Sequence, residues 1–109
     1  YPDRLNLGLA FPDFEQIRSL TFHAPDTRRF PSLEFARKAC ESRGTMPAVM
    51  NAANEVAVQA FLDRRIRFSD IFTLVATTMG AHTCIDNPDL SGIIEADQWA
   101  RKTAGSLIK

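Results

Sequence analysis

The run of residues 48–68, AVMNAANEVAVQAFLDRRIRF, constrains the fold more than any other part of the chain. Its apolar residues recur with helical spacing, and they cover most of the circumference of the predicted helix. At 100° per residue, small and aliphatic side chains share one face of this predicted helix: Val49, Ala53, Val56 and Ala60. An ordinary surface helix carries charged side chains over much of its opposite side. The pattern therefore predicts a helix at the centre of a helical bundle.

A polar trio interrupts the apolar pattern of this helix. Asn51, Asn54 and Glu55 stand together at positions i, i+3 and i+4, and Val58 and Leu62 continue the same stripe without further charge. Buried amide side chains usually form hydrogen bonds with backbone groups of loops or helix ends that lack other partners. We therefore expect the trio to contact protein and to have a structural role. Ligand binding is the alternative. No nucleophile with a nearby base accompanies the trio, so it is not assigned a catalytic role.

Length and charge place the chain in the class of small soluble domains. It has 109 residues, 45% of them hydrophobic, and thirteen basic residues balance thirteen acidic ones. A net charge of zero gives no general attraction for nucleic acid or for an anionic membrane. The apolar runs are also shorter than the roughly 20 residues that a membrane helix needs. Because the chain begins without Met, we expect it to be part of a longer polypeptide.

The residues that most often carry chemistry are scattered. Cys40 and Cys84 lack metal-binding spacing and are predicted to be free thiols, and neither His23 nor His82 has a second ligand at motif spacing. The basic clusters at 28–29 and 64–67 each follow an acidic residue that offsets them. No Gly-rich phosphate loop is present. We therefore predict no catalytic, cofactor-binding or metal-binding residue in this chain.

Punctuation by Pro and Gly divides the chain into two parts. Residues 1–29 read as an extended connecting strap with one short strand at 19–23, which buries Leu20 and Phe22 and needs a partner strand from elsewhere. Residues 30–109 read as a helical bundle. The predicted fold class is thus mainly α, a small bundle of about four to five helices preceded by the strap and the strand.

Several helix boundaries within 30–109 can be predicted from capping residues. Thr45 is expected to cap the central helix, and Ser69 to cap a third helix that Gly80 closes. An unbroken last helix would put Asp97 and Arg101 on its apolar stripe, so a break is expected near Asp97. Two helices joined by a short link suggest helix-turn-helix, but the second, SDIFTLVATTMG, has no Arg, Lys, Asn or Gln to read bases.

Several separate strings, in order, carry a family resemblance. YPDRL, SLTFHAPDTRRFPSLEFA, the Gly44–Thr45 hinge and NAANEVAVQAFLDRRIRFSDI together resemble the C-terminal region of 1-deoxy-D-xylulose 5-phosphate reductoisomerase. The match is weaker after Thr73, although the stretch from Glu95 to Arg101 is similar to the family's final helix. Met50 and Ser32 depart from the usual Leu and Cys, which are mild packing changes.

The resemblance implies a parent enzyme with NADPH and Mg²⁺ or Mn²⁺ that converts 1-deoxy-D-xylulose 5-phosphate to 2-C-methyl-D-erythritol 4-phosphate in non-mevalonate isoprenoid biosynthesis. This chain would be its non-catalytic C-terminal helical domain, packed against the preceding catalytic and nucleotide-binding domains. The resemblance also implies a homodimeric parent, in bacterial cytoplasm rather than plastid stroma. The charge balance and the short apolar runs predict no nucleic-acid or membrane partner. The alternative is an independent interaction module that uses an exposed strand edge or a helical groove.

Overall fold

The computed structural model describes residues 8–108, which form α-helices joined by turns and by longer non-helical segments, 18–31 and 82–89. In chain order these helices are α1 (Phe14–Ile17), α2 (Ser32–Ser42), α3 (Met46–Leu62), α4 (Phe68–Ala81) and α5 (Leu90–Leu107). The prediction of a mainly α fold with four to five helices is confirmed. Residues 1–7 of the expected strap, and Lys109, lie outside the described residues.

The central helix of the bundle is α3, as its sequence predicts, and it packs against α2, α4 and α5. Its buried side consists almost entirely of small residues: Val49, Ala52, Ala53, Ala57 and Ala60. Against α5, one apolar cluster joins Val49 and Ala52 to Ala96 and Ala100. Because the distance between packed helices depends on the side chains at the contact, these alanines let α3 and α5 approach closely.

A second apolar cluster fills the space between α3 and α4. Ile71, Leu74 and Val75 of α4 supply the larger side chains, and they pack with Ala53 and Ala57 of α3. Ala104 of α5 completes this cluster. The core of the bundle therefore combines larger aliphatic residues from α4 with alanines from α3 and α5.

The start of α4 differs from the prediction. The helix begins at Phe68, so Ser69 lies inside it and does not cap it. The carboxylate of Asp70 instead accepts the backbone N–H of Arg67 at 2.9 Å and pairs with the Arg67 side chain at 3.3 Å. This hydrogen bond from the backbone of Arg67, followed by the one from its side chain, lowers the pKa of Asp70. A short acidic residue at the third helical position has taken the capping role.

The predicted break near Asp97 is wrong, because α5 runs unbroken from Leu90 to Leu107. Asp97 and Arg101 lie one turn apart and pair directly, with Arg101 Nε 2.7 Å from Asp97 Oδ2. Their charges thus compensate each other along the side of the helix, which removes the conflict that the helical pattern alone implied. Asp89, not Asp97, caps α5, since its carboxylate accepts the backbone N–H of Gly92 at 2.8 Å.

The segment before the bundle is the least packed of the described residues. Every residue from 8 to 26 is exposed. The described residues contain no strand, so the predicted strand at 19–23 is not confirmed; a single strand without a partner has no ladder to join. The four-residue helix α1, which Asp13 caps, was not predicted. The division of the chain at residue 29 stays a prediction.

Candidate functional site

The side of α3 that faces away from the core is the most unusual surface of the bundle. This outer face of α3 consists of Asn51, Asn54, Glu55 and Leu62, and it is bordered by Val58, which packs partly against the core. The two amides and the carboxylate are exposed, Val58 is half-buried, and Leu62 is 64% exposed. In this chain the polar trio therefore lies at the surface. Its expected contact with protein requires protein beyond the described residues and stays a prediction.

Two members of the trio are held in a hydrogen-bonded network. Asn51 Nδ2 donates to Glu55 Oε1 at 3.0 Å, and Glu55 Oε2 accepts from Arg101 Nη2 at 2.7 Å. Arg101 also donates to both carboxylate oxygens of Asp97, at 2.7 and 3.1 Å. The network thus links the middle of α3 to the middle of α5 across the bundle surface.

The electrostatics of the network follow from these contacts. The hydrogen bond from Arg101, and then the one from Asn51, lower the pKa of Glu55 below its ordinary value. The carboxylates of Asp97 and Glu55 raise the pKa of Arg101 further above its already high value. Glu55 and Arg101 therefore stay charged at neutral pH. Because both side chains are about half exposed, water screens their attraction.

Asn54 differs from its two neighbours. Its side chain makes no hydrogen bond to any of the residues that the structure describes, whereas Asn51 and Glu55 are held in place. An amide offers two donors and an acceptor, so Asn54 presents its full hydrogen-bonding capacity outward, and the exposed Leu62 lies about two turns further along α3. The face combines a fixed polar network with an available amide and an aliphatic side chain.

Reasoning from the sequence missed Asp97 and Arg101 as members of this site. The signal was present, since an acidic residue four positions before an Arg is a favourable helix pair. A cleft of about 440 Å³ opens beside Glu55 and Arg101. Its ionisable lining residues are Glu55, Asp63, Arg65 and Arg101, two acidic and two basic. This balance gives the cleft no preference for an anionic or a cationic ligand.

A second polar cluster lies where the link between α2 and α3 meets the loop between α4 and α5. Thr45 is fully buried there, but its hydroxyl does not cap α3 as predicted. Thr45 Oγ1 accepts the backbone N–H of Ile85 at 3.1 Å and lies 2.8 Å from His82 Nε2. His82, which has no second ligand at motif spacing, is therefore held in a contact with a buried hydroxyl. His23 is exposed in the segment before the bundle.

The described residues do not fit a metal ion. No three of their His, Cys, Asp and Glu side chains are grouped so that they could hold one. Cys40 is exposed and Cys84 half-buried, and both are free thiols. Among the same residues, no helix has the length and apolar character needed to cross a bilayer.

A helical bundle, residues 30–108, that carries a pre-arranged polar face and is preceded by a mostly exposed arm, residues 8–29, defines a small helical domain. The family model of the DXP reductoisomerase C-terminal domain matches residues 1–103. The chain belongs to this family, which confirms the resemblance that its separate sequence strings carry.

Relatives and a solved structure agree with this assignment. The chain is 47% identical over 108 residues to 1-deoxy-D-xylulose 5-phosphate reductoisomerase of Desulfosudis oleivorans, covering 99% of the chain and 28% of that protein. It is 52% identical over 104 residues to the protein of the same name from Heliobacterium modesticaldum, covering 95% of the chain and 27% of the relative. The solved 1-deoxy-D-xylulose 5-phosphate reductoisomerase from Zymomonas mobilis, in complex with NADPH, superposes with a TM-score of 0.86 at 41% identity. That match covers 98% of the chain and 28% of the solved one. The chain thus spans less than a third of the length of the relatives it matches.

Proposed function

We propose that this chain is the non-catalytic C-terminal domain of a 1-deoxy-D-xylulose 5-phosphate reductoisomerase and that it supports the catalytic part of the same polypeptide. The observation that carries the proposal is the combination of nearly complete coverage of the chain with coverage of 28% of the relatives' length. A domain that occupies a constant quarter of a larger enzyme is expected to act with the remainder.

The activity of the parent follows from the family. It would isomerise 1-deoxy-D-xylulose 5-phosphate and reduce the intermediate to 2-C-methyl-D-erythritol 4-phosphate, in a homodimer that uses NADPH and Mg²⁺ or Mn²⁺. The NADPH complex of the Zymomonas mobilis relative supports the cofactor. Because the described residues do not fit a metal, no step of the reaction is assigned to them.

We further propose that the outer face of α3 is one of the surfaces through which this domain meets the rest of the polypeptide. Three features of the face support this role. The Arg101 network fixes Glu55 and Asn51 before any contact forms, which lowers the entropy cost of docking. Leu62 supplies apolar area further along the same helix, about two turns beyond Glu55. Asn54 has both donors and its acceptor available for backbone groups of a neighbouring domain.

The substitution Asn54→Leu tests the proposal because it should have different effects in the chain alone and in the full-length enzyme. In the 109-residue chain Asn54 is exposed, so we expect the free energy of unfolding to change by less than about 0.5 kcal/mol. In the full-length enzyme, an interdomain partner of Asn54 would be left unsatisfied, at a cost of about 1–3 kcal/mol. Turnover should fall only as far as the folded fraction does.

Gln98→Leu is the matched control, because Gln98 is also an exposed amide but lies on α5, away from the outer face of α3. It should leave the thermal stability of the full-length enzyme unchanged. A loss of turnover at unchanged stability after Asn54→Leu would contradict the structural role of Asn54. Equal stability effects of the two substitutions in the full-length enzyme would contradict the docking surface while leaving the family assignment intact.

A further inference from the structure

A cavity of about 330 Å³ opens where the end of α4, the loop between α4 and α5, and the first half of α5 meet. We call it the Trp99 cavity, because the single Trp of the chain forms part of its wall. The α5 residues that line it are spaced at i, i+3, i+4 and i+7, so they share one side of the helix: Gly92, Glu95, Ala96 and Trp99. The same period places Asp97 and Arg101 on the opposite side of α5. The cavity is therefore separate from the polar network beside the outer face of α3.

The wall of the Trp99 cavity has an apolar part that is open to water. Trp99 is 37% exposed, and Ile85, from the loop, is 53% exposed. The centroids of the Trp99 and His82 rings lie 5.0 Å apart, so the imidazole packs against the indole and restricts its movement. An indole held in this way offers apolar area for an aliphatic chain, and its π-system attracts cations more strongly than other aromatic rings do.

The charge at the Trp99 cavity is acidic and is not compensated by a basic side chain. Glu95 lies in its wall and is exposed, and it forms no ion pair with any residue that the structure describes. Glu55 and Asp97, in contrast, both pair with Arg101. Among the described residues, no Lys or Arg lines this cavity, and burial lowers the pKa of His82, which keeps its ring neutral at neutral pH. The cleft beside Glu55 differs, because two Arg side chains line it.

The surroundings of the cavity extend this acidic character. Residues 68–100 contain five Asp and Glu and no Lys or Arg, although the chain as a whole has no net charge. The N-terminus of α5 has a dipole that repels cations, but the carboxylate of Asp89 accepts the backbone N–H of Gly92 there at 2.8 Å and compensates it. The end of α4 that reaches the cavity is a C-terminus, which favours a cation. The local charges therefore favour a positively charged ligand.

We propose that the Trp99 cavity binds an aliphatic chain that ends in a cation, namely an alkylammonium or an alkylguanidinium group. The aliphatic part packs against Trp99 and Ile85, and the cationic end lies beside Glu95. The volume of the cavity is near the lower limit of about 300 Å³ for small-molecule pockets, so it suits a short chain of this kind rather than a nucleotide. Lys and Arg side chains have the same chemistry, since each carries a charged group on an aliphatic stem. The ligand is therefore either a free amine or guanidine, or a basic side chain of a polypeptide.

Titration of the 109-residue chain with butylguanidinium and with butylurea tests the site, because the two compounds have the same shape and only the first is charged. Butylguanidinium should shift the NMR signal of the Gly92 amide and change the fluorescence of Trp99 with one dissociation constant, which we expect to be about 1–10 mM for a ligand of this size. Butylurea should bind at least about threefold more weakly, because it lacks the attraction to the indole and to Glu95.

Two short peptides distinguish the sources of the cation. Each has two terminal Gly residues with blocked ends, and the central residue is Arg in one and uncharged citrulline in the other. Binding of the Arg peptide more tightly than butylguanidinium supports a polypeptide side chain as the ligand. Binding of butylguanidinium more tightly than the Arg peptide supports a free small molecule.

Two matched variants locate the charge that is recognised. Glu95→Gln keeps the shape of the side chain and removes its charge, so it should weaken butylguanidinium binding about two- to fivefold and leave butylurea binding unchanged. Glu41→Gln, at an exposed carboxylate of α2, should change neither.

Three outcomes overturn the proposal: butylurea binds as tightly as butylguanidinium, the two variants weaken binding equally, or the Gly92 signal does not move at concentrations up to about 50 mM. The comparison of the two compounds needs no variant to fold.

Discussion

The arm before the bundle and the bundle itself use apolar residues in opposite ways. In residues 8–29 the large apolar side chains are exposed: Leu9, Phe11, Phe14, Ile17, Leu20 and Phe22, with Phe11 96% exposed. In the bundle, residues 30–108, the core consists mainly of alanines and a few aliphatic residues that are almost completely buried. The arm thus carries larger apolar groups than most of the core but buries none of them.

The hydrogen bonds of the two regions differ in the same way. In the arm, Asp13 accepts from the backbone of Glu15 and Gln16, and Asp26 accepts from that of Arg28 and Arg29. These bonds span two or three residues, whereas Thr45 and Glu55 bond to partners about forty residues away. The bundle supplies its own tertiary contacts. The arm, in contrast, has local turns and an exposed apolar surface. Such a surface is typical of a segment that packs against other protein, here protein outside the described residues.

Removing the same side chain from the two regions gives the largest expected contrast. Leu74→Ala empties a buried site between α3 and α4 and should lower the free energy of unfolding by about 2–5 kcal/mol. Leu20→Ala removes a side chain that is 64% exposed and should change it by less than about 0.5 kcal/mol. Urea denaturation of the 109-residue chain measures both. A comparable loss in both variants would show that the arm packs on the bundle in solution.

Two glycines with similar backbone angles give the next contrast. Gly44 has φ +51° and Gly8 has φ +63°, but a Cβ would meet the Ile85 carbonyl and Cys84 Sγ at Gly44 and nothing within 4 Å at Gly8. Gly44→Ala should therefore lower the free energy of unfolding by at least about 1–3 kcal/mol. Gly8→Ala should have a smaller effect, because its Cβ would meet no atom within 4 Å and only the strain of the positive φ would count. Thermal unfolding compares the two variants, and equal shifts would mean that φ alone, not crowding, sets the cost.

The elements that sequence reasoning predicted correctly are those whose signals are local. The apolar spacing that defines α3 lies within 17 residues, and it predicted both the helix and its central position in the bundle. The same period places Asn51, Asn54 and Glu55 together on the opposite side of α3, but it did not predict that they are exposed in this chain. The family resemblance also came from strings of neighbouring residues.

Two of the predictions that failed involve partners far along the chain, whereas the cap of α4 was wrong for a local reason, since Asp70 accepts from Arg67 three residues before it. The expected break at Asp97 ignored Glu55, which lies 46 residues from Arg101 and accepts a hydrogen bond from it. The expected cap at Thr45 ignored His82 and Ile85, 37 and 40 residues away. In each case the polar side chain forms a hydrogen bond with a residue of another element. Helical spacing within one element cannot reveal such a partner.

The smallest expected contrast concerns Arg101 of the bundle and Arg28 of the arm. Comparing them tests whether the surface network lowers the pKa of Glu55 more than an arginine outside the network does. Arg101 bridges Glu55 and Asp97, both partly exposed, whereas Arg28 is an exposed residue of the arm. Arg101→Gln should raise the pKa of Glu55 towards its ordinary value, because the largest cause of its lowering is removed. Arg28→Gln should leave the pKa of Glu55 unchanged. NMR titration of the Glu55 carboxyl group measures this shift directly.

The sign of the pH dependence separates the network from a general effect of charge. Since the pKa of Glu55 is lowered in the folded chain, its contribution to stability is present above the ordinary Glu value and is lost as pH falls through the lowered one. The stability difference between Arg101→Gln and the unsubstituted chain should therefore shrink in acid, and also at high salt, which screens exposed pairs. If the difference were instead the same at all pH values, Arg101 would stabilise the contact between α3 and α5 through the packing of its aliphatic stem. The outer face of α3 would then be held by side-chain packing rather than by charge.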